Sequence, residues 1–473
     1  MLGGTLPLQK FRLNRAVPLA QELRNLAFTI APERARMLSR DAGARSGAAL
    51  GILLGSAFPA LAPQTGSQHD ALDAMAEEGL RIRRRPRDLA RRLTTALRGK
   101  RFELGAALLR RAVWSEKARI ALRELLPVRL GGASIDVTAE ELSDLASAAF
   151  DAALSEAGDA IAERFDRPLR PDGKPSTVVM LGMGKLGGRE LNAGSDVDVI
   201  FVYDSDDGQS ELSVHEHFAR VVRRAVATIG TPSADGLIWR VDLRLRPEGA
   251  QGAIVNSVAA AERYYETWGR LWERAALLRS RPCAGDLELG RLFTREVITP
   301  FVYRNTVDPT LAEALTELVL RSRAELSHAP ERDLKLGPGG IREAEFFVQS
   351  LQLVWGGREH ALRVQGTLPA LARLRSQGFV SDREARGIAE SYTLLRRVEH
   401  RVQWASGVQT HLLPSDPEEL LRLIEKALKR DGFATASAIS ANKSVSSFIS
   451  IAFKFRSTCS RDDSPTSVLA TSA

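Results

Sequence analysis

The chain has 473 residues, 44% of them hydrophobic and 26% charged. That balance supports a full apolar core and excludes a disordered chain, a collagen-like repeat and a small disulfide scaffold. Two cysteines, Cys283 and Cys459, are too few for a disulfide framework and suit no zinc ribbon, so a reducing, cytoplasmic setting is expected. The net charge of +8 is local: Arg81 to Arg101 carries ten basic residues and one acid. This stretch reads as a solvated helical face with a kink or break at Pro86. It lacks the aromatic interleaving of a base-stacking surface, so no nucleic-acid partner is expected.

In chain order, the N-terminus shows no charged region followed by a sustained apolar run, so no signal peptide is expected. The longest apolar run, Ala48 to Pro63, is too short to span a bilayer, which needs about 20 residues. It reads as a buried helix and a turn, and no membrane partner is expected. Residues 1–165 carry apolar positions at three- and four-residue spacing and form an N-terminal helical region, with Thr138 as the cap of its last long helix. A Pro- and Gly-containing linker at 166–175 follows. Thr177 to Leu181, Val197 to Tyr203 and Leu237 to Leu245 read as strands, and Glu211 to Ile229 as a helix. After Pro247 the chain is helical again, with breaks near Pro282, Pro300, Gly337–Gly340, Gly378 and Pro414. Trp268 and Trp272, four apart, read as one core-facing pair. From 433 onward the chain holds eleven serines and no period, so disorder is expected there.

The chemistry lies in VVMLGMGKLGGRELNAGSDVDVIFVYD. Gly182, Gly184 and Gly187 fit a dinucleotide-binding fingerprint after a strand. Too few residues separate Gly187 from the next strand for a crossover helix, however, and Asn192 and Gly194 are poor helix formers. A P-loop fails because Leu186 follows Lys185 where a metal-binding hydroxyl is required. A third reading uses Asp196 and Asp198, which stand two apart at a strand start and so share a face. A carboxylate pair beside a Gly-rich turn suits Mg²⁺, which takes a few carboxylates together with phosphate oxygens. Asp242, the one acid within the third strand, is the natural third carboxylate, with Arg244 and Arg246 on its face for a phosphate. Backbone N–H groups around Gly184, Gly187 and Gly188 would cradle phosphate, with Lys185 and Ser195 beside them.

This combination matches the nucleotidyltransferase fold of the DNA polymerase β superfamily. The expected class is α+β: a nucleotidyltransferase mixed-sheet domain over 166–300, between the helical region 1–165 and a helical bundle over 301–430, with 431–473 a Ser-rich tail. The longer stretches GMGKLGGRELNAGSDVDVIFVYD, VDLRLRPEGAQGAIV, YYETWGRLWERAALLRSRPCAGD, ITPFVYR and KLGPGGIREAEFFVQSLQLVWGG, over roughly residues 100 to 415, resemble glutamine synthetase adenylyltransferase. RRVEHRVQ and QTHLLP add to the likeness.

That family carries two catalytic halves, one removing AMP from a tyrosine of glutamine synthetase by phosphorolysis and one adding it from ATP. Lys335 to Phe346 resembles the removing half. The resemblance implies Mg²⁺ as cofactor and ATP, ADP and phosphate as substrates or products. It implies glutamine synthetase as the protein substrate and the P-II signal protein as a regulator. Adenylation from ATP and a truncated, non-catalytic module binding glutamine synthetase or P-II stay open. Glu343 and Glu345 stand at a helix start where acids suit the dipole. His400 and His411 read as packed or hydrogen-bonded.

Overall fold

The computed structural model describes residues 8–40, 46–78, 80, 83–208, 210–305 and 311–416. The Ser-rich segment expected to be disordered lies outside the described residues, as does the end of the helical bundle. The N-terminal part is helical throughout: α1 (Leu8–Ile30), α2 (Pro32–Ser39), α3 (Ser46–Ala57), α4 (His69–Glu78), α5 (Pro86–Leu97), α6 (Phe102–Leu125) and α7 (Ile135–Phe165). The long apolar run becomes α3, with Leu50, Leu53 and Leu54 in the core. In α5, Leu89, Leu93 and Leu97 recur every four residues and are buried.

The break expected at Pro86 is found: Pro86 opens α5, because a first-turn proline has no intrahelical bond to lose. Two expectations fail. The basic stretch is not wholly solvated: Arg83 donates to Asp144 at 2.8 Å and Arg84 pairs with the buried Glu116 at 2.9 Å. Thr138 is not a cap either. α7 starts at Ile135, and the buried Thr138 hydroxyl donates back to the Ile135 carbonyl at 3.0 Å.

The sheet has five strands: β1 (Val178–Gly182), β2 (Val197–Tyr203), β3 (Val241–Asp242), β4 (Asn256–Ser257) and β5 (Arg281–Gly285). Their order is β3-β2-β1-β5, with β4 also on β2. β1 runs antiparallel to β2 and β5, while β2 runs parallel to β3 and β4. The antiparallel β1–β2 pair excludes the dinucleotide-binding reading, whose strands are parallel. A one-turn helix, α8 (Gly184–Gly187), and α9 (Val214–Gly230) follow the first two strands. The third strand is far shorter than its nine-residue expectation. The Asp242 carboxylate accepts the Arg244 N–H at 2.8 Å, a local turn that ends the ladder. β4 and β5 were not expected; β5 stands where only a break at Pro282 was foreseen.

Both sheet faces are buried. Met180, Val197, Val199, Phe201 and Tyr203 pack with the N-terminal helices and α9. Val179, Leu181, Ile200 and Val202 pack the other way, against α10 (Val258–Thr267), α11 (Leu271–Leu277), α12 (Leu287–Phe293) and α13 (Thr299–Val302). A π turn, Thr294–Ile298, joins α12 to α13, so the break expected near Pro300 is absent. Trp268 and Trp272 do not form a core pair: Trp268 is 71% exposed and Trp272 36%. α10 ends at Thr267 and α11 begins at Leu271, so the two are not on one helix. α14 (Leu311–Leu326), α15 (Ile341–Trp355), α16 (Thr367–Ser376) and α17 (Asp382–Ser406) complete the described chain. α15, α16 and α17 share a third core around Ile341, Leu371 and Val398. No helix among the described residues is long and apolar enough to cross a membrane.

Candidate active site

β2 is buried at every position except Asp198. Val197 and Val199 enter the core, so positions 196 and 198 share the other side of the strand. The parallel register sets Asp198 directly opposite Asp242 of β3. The two carboxylates are unlike. Burial, and then the charge of Asp242, push Asp198 up to about 6. Asp242 is held below its ordinary value, chiefly by the Arg244 guanidinium, which donates to it at 2.9 Å. Two facing carboxylates divide their protons unevenly, and the repulsion between them is what a cation removes.

Gly184 closes this pair from the β1 side. Its φ is +49°, and a Cβ there would stand 3.1 Å from the Asp198 Oδ2. A side chain there is strained by the backbone and would press on the Asp198 carboxylate. Gly187 and Gly188 play a different part. Their N–H groups donate to the carbonyls of Met183 and Gly184, each at 3.0 Å, closing α8. Their Cα atoms lie against the Arg279 carbonyl and guanidinium. The N–H groups of Gly184, Lys185 and Leu186 belong to the first turn and have no intrahelical acceptor.

The remaining expected residues fall into place unevenly. Asp196 pairs with Arg240, which also donates to the Gly194 carbonyl at 3.2 Å. Ser195 is buried beneath Asp196 in sequence, its N–H donating to the Asn192 carbonyl. Arg244 is bound to Asp242 with its side chain 77% exposed. Arg246 does not serve the site: it donates to the carbonyls of Leu243, Ala250 and Gly252 and shapes that loop. Lys185 is no loop lysine. Its ammonium lies 2.7 Å from Glu399 of α17, whose side chain is fully buried. Burial pushes Lys185 down against the pull of Glu399, and Glu399 is held well below its usual range by Lys185, His411 and Arg396.

A second layer of buried polar groups was not foreseen. Glu190 receives Arg279, the Thr367 N–H at 2.7 Å and the Tyr392 hydroxyl at 3.2 Å. Arg279 also reaches Glu345 at 3.1 Å, and Arg396 donates to the Glu190 carbonyl at 2.5 Å. Glu345 therefore does more than suit a helix start. Glu343 accepts the Gly339 N–H at 3.0 Å and pairs with Arg323. His400 donates to Glu124 at 3.2 Å and His411 to Glu399 at 3.0 Å. The signal available for this layer was charge inside otherwise apolar helices: Glu399 and His400 stand among buried Val398 and Val402 in α17.

Among the described residues, no three His, Cys, Asp or Glu side chains are arranged to hold a metal ion. The donor chemistry still fits one. Asp198 and Asp242 are opposed hard oxygen donors whose repulsion still raises Asp198 despite Arg244 on Asp242, and a divalent ion completes its shell with substrate oxygens. Asp196, tied to Arg240, stands outside that pair.

The model of the family glutamate-ammonia ligase adenylyltransferase matches residues 54–296, from the end of α3 through α4–α7 and the whole sheet. The model of GlnD PII-uridylyltransferase matches residues 310–444. A bifunctional glutamine synthetase adenylyltransferase/adenylyl-removing enzyme of Xanthomonas campestris pv. campestris (strain B100) is 40% identical over 322 residues, 67% of this chain and 34% of the relative. Proteins of the same name from Nitrosococcus oceani and Chromobacterium violaceum are 40% and 38% identical, covering 70% and 66% of this chain and 34% and 35% of their own lengths. The chain spans about a third of the length of these curated relatives. With its family model covering more than half of its residues, and the carboxylate pair inside that match, the chain belongs to the glutamate-ammonia ligase adenylyltransferase family.

Proposed function

We propose that this chain is a nucleotidyltransferase of the DNA polymerase β type that removes AMP from an adenylylated tyrosine of glutamine synthetase. The observation that carries the reading is the in-register pair Asp198 and Asp242, with Gly184 held against Asp198. The names of the relatives supply the protein substrate, and the KLGPGGIREAEF stretch, which resembles the removing half, supplies the direction. In the step, an oxygen of inorganic phosphate bonds to the α-phosphorus of the tyrosyl-AMP and the phosphorus–phenolate bond breaks. The proton of the phosphate passes to the phenolate, leaving tyrosine and ADP.

Asp198 and Asp242 would hold Mg²⁺, and Asp196, once released from Arg240, would be the third ligand. The ion would supply charge neutralisation at the reacting phosphorus and its oxygens. Arg244, freed from Asp242 when a cation takes that carboxylate, is placed to meet a phosphate oxygen. Gly184 keeps space for the phosphoryl group beside Asp198. The first-turn N–H groups of α8 and the Ser195 hydroxyl are the uncharged donors of the same wall. Lys185 sets the position of α8 through Glu399 instead of meeting phosphate itself. Acting on glutamine synthetase, the chain would work in the cytoplasm. The match of 310–444 to a P-II-modifying family makes P-II the favoured regulator.

A paired assay tests the reading. The full chain with Mg²⁺ is given adenylylated glutamine synthetase and phosphate in one arm, and unmodified glutamine synthetase with labelled ATP in the other. ADP release, lost in Asp198→Asn, is the expected result. AMP incorporation alone would reverse the direction. A folded chain silent in both arms would leave a binding module.

A further inference from the structure

The cations around the carboxylate pair are nearly all engaged. Lys185 is held by Glu399, Arg240 by Asp196, Arg244 by Asp242, and Arg279 by Glu190 and Glu345. Arg396 is held by Glu399. Lys335 is the exception. It is half-buried, and among the described residues its ammonium has no carboxylate at ion-pair distance.

The loop that carries Lys335 is fixed at both ends. The Asp333 carboxylate accepts the N–H groups of Lys335 at 2.9 Å and Leu336 at 2.8 Å, and the Ser327 hydroxyl at 2.8 Å. The Lys335 carbonyl accepts the Arg342 N–H at 3.0 Å. The Leu334 N–H donates to the His411 carbonyl at 2.8 Å. A Cβ on Gly340 would stand 2.8 Å from the Lys335 carbonyl, and one on Gly337 would strike the carbonyls of Pro330 and Asp333. These contacts set the loop down beside the site: His411 touches Glu399, Glu399 touches Lys185, and Lys185 follows Gly184, which lies on Asp198. The charge of Lys335 is felt at Asp198, where it opposes Asp242, and at Glu345 and His411.

We propose that Lys335 is a substrate-binding residue whose ammonium receives the phosphate that enters as inorganic phosphate and leaves as the β-phosphate of ADP. The proposal rests on the nucleotidyl-transfer reading above. That step brings multiply charged phosphate to a singly charged α-phosphodiester already flanked by two carboxylates, so a cation not committed to a protein partner favours its approach on that side. A lysine anchored through both backbone groups meets the anion with its backbone already ordered. The same loop leads directly into α15, whose Glu343 pairs with Arg323 and whose Glu345 is buried against Arg279, so the binding group is tied to the wall behind it.

The test compares ADP with AMP, which differ by that phosphate alone. Binding of each to the full chain with Mg²⁺ is measured calorimetrically for the wild type, Lys335→Gln and Lys335→Arg. Lys335→Gln is expected to weaken ADP about tenfold, the loss of one charge-assisted contact, while AMP changes less than about twofold. Lys335→Arg is expected to recover most of the ADP affinity. An equal loss for both nucleotides, or none for ADP, would overturn the assignment, with thermal melts of all three proteins confirming the fold. A wild type that binds neither nucleotide removes the nucleotidyl-transfer reading and this inference together. A wild type that binds ADP as tightly as Lys335→Gln removes the inference alone.

Discussion

At the scale of single residues, the site is governed by where unlike charges are allowed to meet. Asp198 is the one half-buried position in an otherwise buried strand, and its carboxylate faces another carboxylate. Asp198→Asn removes one of the two opposed donors while keeping its volume. Turnover is expected to fall by about a thousandfold, the loss typical of a lost transition-state electrostatic contact, while the melting temperature rises or holds, because the variant removes a buried charge repelled by Asp242. Near-normal ADP release from that variant would refute the assignment.

Glu124 offers a separate test, in solution and without substrate. Burial opposes its charge, but His400, Arg401 and Trp404 hold it down to about 2. Burial likewise holds His400 below its ordinary value. Both groups bind protons more readily in the unfolded chain, so both withdraw stability as pH falls. The His400 contribution fades below its ordinary value of 6.5, and that of Glu124 fades between 4.5 and about 2. Urea denaturation of the wild type should lose stability through both windows. Glu124→Gln should be weaker at pH 7 and flatter below 4.5, and a curve parallel to the wild type would contradict this account.

At the scale of elements, glycines divide into those that serve chemistry and those that serve packing. Gly184 has a positive φ and lies on Asp198, whereas Gly187 is wedged against the carbonyls of Gly182 and Arg279. Gly184→Ala is therefore expected to cost about 1 kcal/mol of stability but most of the turnover. Gly187→Ala is expected to cost about 3 kcal/mol or more by forcing β1 and β5 apart. Denaturant midpoints and ADP release on the two variants decide it, and the reverse ranking would mean that α8, not the Asp198 contact, sets activity.

The same elements show what a sequence reader can recover. β2 was expected at Val197–Tyr203 and is found there, because a continuous β-branched and aromatic run between Gly-rich and acidic turns has few alternatives. β3 was overextended because WRVDLRL alternates like a strand, while the Asp242 carboxylate turns the chain locally. β4 and β5 escaped because two residues carry no period and RPCAG carries a proline and a glycine. Asp196 and Asp198 were picked out by spacing and Asp242 as the one acid in the expected third strand, and the register sets Asp198 against Asp242. Glu190, Arg279 and Glu399 were not picked out, since each has at least one partner between 66 and 214 residues away, and charge alone does not name a partner.

At the scale of the molecule, those distant partners bind the C-terminal helices to the glycine turn. Lys185 with Glu399, Glu190 with Thr367 and Tyr392, and Glu124 with His400 and Trp404 all cross between the sheet domain or N-terminal helices and α16 or α17. Buried charges of this kind are tolerated only in pairs, because removing one partner leaves the other desolvated and alone, at about 3–5 kcal/mol. Glu399 is the sharpest case: one carboxylate, fully buried, meets Lys185, Arg396 and His411. Glu399→Gln is expected to destabilise the whole chain by about 3 kcal/mol and to loosen α8, so that ADP release falls along with stability.

The double variant Lys185→Met with Glu399→Leu removes both charges, and should recover part of the stability by the same reasoning. If α8 needs only to be held in place, it should recover part of the turnover too. Stability regained with no turnover regained would show instead that the Lys185 charge is felt by the substrate. A chain ending after Pro300 strips all three crossings at once, and it should not give a soluble, cooperatively unfolding protein. A well-folded 1–300 fragment would mean that these pairs tune the site without holding the molecule together. Under the first outcome, the sheet that carries the carboxylates and the C-terminal helices with the Lys335 loop form one cooperative unit, so a displacement of α17 reaches Asp198 through Glu399, Lys185 and Gly184.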